Sequence, residues 1–392
     1  MVTSLGCDWA KNALGFRVGR RAFQPVTLFD VSRQRVKVAG QVDMPEGFPK
    51  SLLTSKNVGR LSRAAKLLLF AASEAWEQSG WNTGGCLPVV LGTTSGGMSF
   101  GEEYYRQAIE GSGNHRRQPV RVIHYQSQRQ GLDLQDAFGF RGPIIIIANA
   151  CASGANALGH AFDLIRRGQA ERVLTGGYDG LSQLVFAGFD SLHALSPTLC
   201  RPFDARRDGL ALGEGAAVFA LETLEHAEKR GARVLAEIVG YGATTDVHHL
   251  TQPHPDGVAA HASMKAACVD AQVTPAQIDY VNAHGTGTPL NDSAEAAAIT
   301  RWAGPHAAAL PVSSTKASVG HLLGAAGAVE VGVCVMALEG QWLPPTTSVG
   351  ELDAACGFSI VRLATNAKVE YAMTNSFGFG GANASLILRR WP

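Results

Sequence analysis

Four consecutive isoleucines, Ile144 to Ile147, empty into Ala148-Asn149-Ala150-Cys151-Ala152-Ser153-Gly154, and small residues then lead into an amphipathic stretch through Leu164 and Ile165. A β-branched run followed by a switch to a helical period reads as strand, sharp turn and helix, which restricts the chain to folds that layer helices on sheets. The turn delivers Cys151 to the positive end of that helix. Free N–H groups there favour thiolate over thiol, and the thiolate is the nucleophile. A buried structural cysteine is the common alternative for a residue beside an apolar strand.

The same grammar recurs along the sequence. Glycine accounts for 45 of 392 residues, and much of it sits where β-branched runs end. Strands are expected at 88–92, 143–150, 172–177, 216–221, 234–241, 278–283, 311–315, 358–361 and 384–388, with helices at 62–79, 155–167, 224–230, 257–271, 293–302 and 325–338. Strand 143–150, the turn at Cys151 and a helix ending in Gly168-Gln169 echo strand 311–315, the turn at His321 and a helix ending in Gly340-Gln341, an offset of about 170 residues. Two similar halves follow, 1–230 and 231–392, joined near the charged segment 224–233. The repeat would set Cys151 and His321 at matching helix starts facing one cleft. Chance likeness between two Ala/Gly-rich segments is the alternative.

Composition narrows the functional classes. With 46% hydrophobic and 17% charged residues the chain can bury a large core, and 34 Lys plus Arg against 33 Asp plus Glu leave no bulk charge to recruit nucleic acid or a membrane surface. Seven scattered cysteines, odd in number and never in a Cys-x-x-Cys pair, argue against a disulfide framework or zinc site and fit a reducing cytoplasm. No leader pattern is evident at the start. The longest apolar stretch, 312–338, carries Lys316, His321 and Glu330, so it reads as core and not as a membrane span.

Three further segments carry chemistry. Asn282-Ala283-His284-Gly285-Thr286-Gly287-Thr288-Pro289 closes a strand with a histidine, glycines that admit a substrate arm, and hydroxyls able to bind amides. A lone histidine after a strand is more often a satisfied polar group. In Ser313 to Gly327 a lysine, Lys316, stands five residues before His321 with almost no other charge nearby, and Glu330 on the following helix is its natural partner. Asn375-Ser376-Phe377-Gly378-Phe379-Gly380-Gly381-Ala382-Asn383 is a glycine-rich loop that lacks the P-loop Gly-Lys-Ser/Thr and reads as mobile backbone with an aromatic plug. His248 and His249 lack acidic or thiol companions suited to a metal.

Together these segments, with Arg201-Pro202-Phe203-Asp204, Arg207-Asp208-Gly209 and Gly213-Glu214-Gly215, resemble the β-ketoacyl-acyl-carrier-protein synthases of the thiolase superfamily, the elongating Cys-His-His class. The resemblance implies an α/β thiolase-like fold of two pseudo-repeated halves with mixed five-stranded sheets in α-β-α-β-α layers. It implies an acyltransferase that joins an acyl group, held as a thioester on Cys151, to malonyl-acyl carrier protein with loss of CO2, in fatty-acid or related lipid or polyketide elongation. The implied roles are Cys151 as nucleophile, its N–H and that of Phe379 as the oxyanion hole, and His284 and His321 as donors to the enolate. Lys316, with Glu330, would orient the histidines. Thr286 and Thr288 would bind the phosphopantetheine arm, Asp246 and Thr251 would lie on a loop moving with the Phe377, Gly378, Phe379 and Gly380 gate, and Ser95 would widen the acyl pocket. No cofactor or metal of its own is implied. The partners would be an acidic acyl carrier protein, met by Lys56, Arg60, Arg63, Arg206 and Arg207, and a second copy or a related subunit.

Departures from the pattern give further expectations. The family's first strand is missing ahead of Met1-Val2-Thr3-Ser4-Leu5-Gly6; since it is expected inside the sheet, either the start is called late or another segment fills the gap. The segment 116–142 is unusually polar where the dimer interface and pocket floor are expected, and Ala382 replaces a usual threonine. A degradative thiolase is disfavoured, because its second cysteine has no counterpart before the final glycine loop: Cys356 comes too early and Phe377-Gly378-Phe379-Gly380-Gly381 has none. A type II polyketide or polyene synthase with a specialised primer is a variant of the same chemistry, and a non-catalytic chain-length factor would have lost the cysteine.

Overall fold

Parallel strands that finish on an antiparallel edge form each of two mixed sheets in the computed structural model, which describes residues 1–82, 85–110 and 118–392. The start of the polar segment, Arg116 and Arg117, lies outside the described residues. The first sheet comprises β1 (Val89–Gly92), β2 (Ile144–Ile147), β3 (Arg172–Asp179) and β4 (Gly215–Glu222), in the order β2-β1-β3-β4 with only β4 antiparallel. The second comprises β5 (Ala236–Thr245), β6 (Tyr280–Asn282), β7 (Pro311–Ser313), β8 (Ser359–Ile360), β9 (Tyr371–Phe377) and β10 (Ala382–Arg390), in the order β8-β7-β6-β9-β10-β5. Setting aside the two edge strands, the two-residue β8 and the outer β5, leaves β7-β6-β9-β10, the same path as β2-β1-β3-β4, so the repeat seen in sequence is a repeat of topology.

The sheets therefore carry six and four strands where five each were expected, and the difference lies at their edges. On the outer edge of β10 the ten-residue β5 is paired; at the equivalent edge of β4, among the described residues, only Val2 pairs, exchanging hydrogen bonds of 2.8 and 2.9 Å with Ala216. The strand expected inside the sheet thus belongs to an edge position, beside β4, and not to the middle of a ladder. The amino group of Met1 is held by Glu74 at 2.6 Å.

Helices fill the layers between and outside the sheets. α1 (Arg63–Ser79) starts on the hydroxyl of Ser62, which accepts the N–H of Ala65, stops at left-handed Gly80, and lays Leu67, Leu68, Ala71 and Ala72 over the first sheet. α2 (Ser153–Arg166) and α5 (Ala326–Gly340) fill the space between the sheets, and α3 (Val258–Ala271) covers the outer face of the second beside α4 (Pro289–Ala303). These are the α-β-α-β-α layers. α5 is buried from Ala326 through Leu338 without interruption, as a helix sandwiched between two sheets must be. It belongs to the apolar stretch Leu323–Gly340, long enough to cross a membrane but 89% buried in the protein interior.

All nine expected strands and all six expected helices are present within a few residues. Strand β9 was not foreseen, nor were helices at Met98–Ile109, Gln118–Tyr125, Ser127–Phe138 and Gln183–Ser191. The fit of β1 against the nucleophile turn depends on Gly92, where a Cβ would stand 2.3 Å from the Ser153 carbonyl.

Candidate active site

Cys151 sits in a single 3₁₀ turn, Ala150–Ala152, between β2 and α2, and the turn is tight enough to force Ala150 to a φ of 56°. Ser153 locks it, its hydroxyl donating to the Ala150 carbonyl at 2.5 Å and accepting the Asn149 N–H at 3.0 Å. The backbone N–H groups of Phe379 and of Cys151 itself stand near the sulfur and favour its charged form. Gly378 is pressed onto the turn, since a Cβ there would lie 3.2 Å from the Cys151 nitrogen. The ring of Phe379 turns away and stacks on Phe189, centroids 5.8 Å apart.

The expectation of a thiolate is corrected here. Cys151 is buried, and desolvation pushes its thiol up to about 11, outweighing the opposing pull of Lys316 and the two N–H groups. The helix start does not overcome removal from water.

His284 follows β6 and His321 follows the short helix Lys316–Val319. Their rings stand nearly perpendicular, centroids 5.3 Å apart, and one ligand atom from each lies with the Cys151 sulfur inside a 4.8 Å cluster. Burial, Lys316 and, for His284, the neighbouring His321 hold both imidazoles well below the usual histidine range, so both are neutral at pH 7. Among the described residues neither ring nitrogen of His321 has a hydrogen-bond partner. Lys316 Nζ donates to the His284 carbonyl at 2.6 Å, lies 3.4 Å from His284 Nδ1, and ion-pairs with Glu330. Burial raises the Glu330 carboxyl to about 7 against the pull of that lysine. A sulfur and two imidazoles this close form a soft donor set of the kind zinc takes, but the ammonium beside His284 opposes a cation there.

Three buried carboxylates that sequence reasoning missed hold the loops in place. Glu295 accepts the N–H groups of His284 and Gly285 at 2.8 and 2.7 Å, and burial lifts it to about 8. Asp292 accepts from Thr286, Gly287 and Phe203 at 3.0, 3.1 and 2.8 Å. Both project from the first turns of α4, and their Asp-x-x-Glu spacing just after the Gly-Thr-Gly-Thr-Pro run was the available signal. Asp179, at the end of β3, accepts from the backbones of Thr94, Ser95, Gly96 and Gly324 and from the hydroxyls of Thr93 and Ser95.

A cavity of about 290 Å³ opens above Cys151 and is lined by both histidines, Thr286, Thr288, Thr251, Asp246, Phe377, Gly378 and Phe379. Thr286 and Thr288 share a hydrogen bond of 2.8 Å. Asp246 is bound into its own loop, accepting from the backbones of His248 and His254, and its N–H reaches the Gly381 carbonyl at 2.8 Å. Two expected residues are not on the wall. Ser95 points at Asp179, so it supports the floor and does not widen it. Gly380 donates to the Leu250 carbonyl at 2.7 Å, its φ of 78° explaining the glycine. Of the expected docking cations, Arg63 is committed to Glu214 and Arg207 to Asp353 and Ser293, while Lys56, Arg60 and Arg206 stay exposed.

Family models described as beta-ketoacyl synthase, N-terminal domain and C-terminal domain, match residues 16–227 and 235–350. The chain belongs to the beta-ketoacyl synthase family. It is accordingly a condensing enzyme of the acyltransferase type. A 3-oxoacyl-[acyl-carrier-protein] synthase 2 of Coxiella burnetii is 36% identical over 384 residues, 95% of this chain and 92% of that one. Among solved structures, the ishigamide ketosynthase/chain length factor superposes with a TM-score of 0.94 at 32% identity, covering 100% of this chain and 97% of that one. A type II PKS acyl-carrier protein in complex with its ketosynthase gives 0.86 at 25% identity, covering 100% and 97%. The beta-ketoacyl synthase likeness thus spans both sheets and the cavity between them.

Proposed function

We propose that this beta-ketoacyl synthase lengthens an acyl group carried on an acyl carrier protein by a decarboxylative condensation with a malonyl group carried in the same way. What supports the reading most is the convergence of one thiol, two neutral imidazoles and two N–H donors at the floor of one cavity. Cys151 attacks the acyl thioester; as its thiol is protonated, a neutral imidazole takes the proton and passes it to the departing phosphopantetheine sulfur. The N–H groups of Cys151 and Phe379 hold the tetrahedral oxyanion. Malonyl thioester then binds, its bond to the carboxylate breaks, CO2 leaves, and the electron pair moves to an enolate oxygen that accepts from His284 and His321. The carbanion attacks the acyl-cysteine carbonyl, the C–S bond breaks, and the sulfur recovers a proton as 3-oxoacyl carrier is released.

Lys316 and Glu330 act as positioning residues behind His284, while Thr286 and Thr288 hold the amides of the phosphopantetheine arm, which belongs to the carrier. The protein works in the cytoplasm, as a dimer with a second copy or with a chain-length-factor-like subunit. The solved ketosynthase/chain length factor at a TM-score of 0.94 favours a second reading within the same chemistry, a type II polyketide or polyene ketosynthase with a specialised primer. An intact cysteine and both histidines oppose a non-catalytic subunit.

Incubation with malonyl-acyl carrier protein and a panel of acyl-acyl carrier proteins, followed by mass spectrometry, tests this. A 3-oxoacyl product and an acyl adduct on Cys151 are expected. Absence of product, adduct and CO2 release would overturn the reading, and the preferred primer separates the two variants.

A further inference from the structure

We propose that the second half of the fold holds a closed anion site, a cup of backbone N–H groups at the turn equivalent to that of Cys151, whose resident ligand is the carboxylate of Asp179. A single offset pairs the 3₁₀ turn Ala150–Ala152 with Leu323–Ala325 and the start of α2 at Ser153 with that of α5 at Ala326. It also pairs the left-handed Ala150 and Gly168, at φ of 56 and 67°, with the left-handed Leu323 and Gln341, at 54 and 52°. By that offset Cys151 corresponds to Gly324, three residues past His321. The second turn has no room for a nucleophile, because a Cβ at Gly324 would stand 2.5 Å from the nitrogen of Thr94.

The N–H of Gly324 is nonetheless aimed at an anion. It donates at 2.7 Å to one oxygen of Asp179, which also takes the N–H of Thr94 at 2.8 Å. The other oxygen takes the N–H groups of Ser95 and Gly96 at 2.9 and 3.2 Å and the hydroxyls of Thr93 and Ser95 at 2.8 and 2.7 Å. Asp179 is fully buried, and among the described residues no cation forms an ion pair with it. Burial pushes its carboxyl up, so these dipoles and the start of α5 are what favour the charged form. Four N–H groups from two loops, converging on one carboxylate, make a backbone anion site, and one methylene is all that ties the ligand to the chain. The ligand class is therefore a small carboxylate. Filled from within, the second turn offers its N–H groups to no other anion, which leaves the turn at Cys151 as the open member of the pair.

Chemical rescue in the full chain tests the site without any use of the condensing reaction. Asp179→Gly removes the methylene and carboxylate and leaves space for acetate or formate, whereas Asp179→Ala leaves space for formate only. By differential scanning fluorimetry each variant should melt at least about 5 °C below the wild type. In about 0.2 M salt Asp179→Gly should regain about half of that shift, saturably, with acetate or formate, and Asp179→Ala with formate alone. Sodium chloride should restore neither, and the wild type and Ser95→Ala, whose carboxylate is in place, should move less than about 1 °C in any of the three salts. Variants as stable as the wild type, no recovery in either carboxylate, recovery that ignores anion size, or an equal rise with chloride or in the wild type overturns the proposal. Where a variant is unfolded without added anion, dilution from urea into the fitting carboxylate should restore a cooperative melt that chloride does not, and failure in both overturns the site as well.

Discussion

The ammonium of Lys316 donates to the main-chain carbonyl of His284 at 2.6 Å while remaining ion-paired with Glu330, so one buried cation fixes the backbone of a histidine that its charge also keeps neutral. Geometry and protonation state are set by the same group. Glu330 itself makes no hydrogen bond to His284 or His321, and among the described residues its second oxygen is unpartnered.

That arrangement separates positioning from stability. Lys316→Met strands a buried carboxylate already raised to about 7, and should cost about 3–5 kcal/mol in urea denaturation. The double change Lys316→Met, Glu330→Leu should recover most of that loss, because an apolar pair replaces a desolvated ionic one. Malonyl decarboxylation should stay at least about 100-fold down in both, since the His284 carbonyl has lost its donor. Recovery of decarboxylation together with stability would make the pair a structural element only.

Cys151 should behave as a buried thiol. With its pKa pushed up to about 11, the native thiolate fraction grows about tenfold per pH unit through the neutral range. Alkylation by iodoacetamide, followed on the Cys151 peptide by mass spectrometry, should therefore climb from about pH 7 to 10 without a plateau; a plateau near pH 8 would reveal a preformed thiolate. The stability effect has the same sign. The unfolded chain loses this proton first, so Cys151 subtracts stability as pH rises from about 9 toward 11, by a few kcal/mol at most.

How far this was legible in the sequence depends on what each residue announces. Ile144 to Ile147 and α5 declare themselves by long apolar runs, and the turns at Cys151 and His321 by their place in the repeat. β9 did not, because Thr374, Asn375 and Ser376 lie fully buried at the centre of the second sheet, where polarity reads as loop. Asn375 is satisfied by tertiary partners, its oxygen accepting from Ser385 on β10 and its amide nitrogen donating to the sulfur of Met264. The Cys151 shift was misjudged for a related reason: a helix start is visible in sequence, whereas desolvation is a property of everything packed around it. Asp179 was silent because a carboxylate that binds backbone N–H groups needs no distinctive neighbours in sequence, whereas Asp292 and Glu295 left only their spacing after the Gly-Thr-Gly-Thr-Pro run as a sign.

The histidines give a second pH signature. Both are held well below the exposed value of 6.5 by burial and by Lys316, so they stay neutral across the assay range. A Cys151→Gln variant, which removes the thiol from the profile, should decarboxylate malonyl-acyl carrier protein at a rate that varies less than about twofold from pH 6 to 8. An inflection near 6.5 would mean that the rings titrate as exposed groups. For stability the sign reverses relative to the thiol: below about pH 6.5 the unfolded chain takes protons that the native rings refuse, so stability falls as the solution is acidified.

Asp179 joins the two halves of the site through one carboxylate. One oxygen takes the N–H of Thr94 at 2.8 Å and of Gly324 at 2.7 Å, tying the loop after β1 to the loop after His321, while the other takes Ser95 and Gly96. In Asp179→Asn the replacing amide nitrogen would face donors whichever way it is turned, stranding the Thr94 and Gly324 N–H groups on one side or the Ser95 N–H on the other, where Gly96 keeps the Thr93 hydroxyl. A loss of about 3 kcal/mol or more in the denaturation midpoint is expected. Ser95→Ala removes only one hydroxyl donor and leaves the carboxylate its backbone partners, so about 1 kcal/mol should suffice. Decarboxylation, which needs His321 on the Gly324 side, should fall in the first variant and hold within about twofold in the second. Equal losses in the two would place Asp179 outside the alignment of His321 and reduce it to a local cap on the loop after β1.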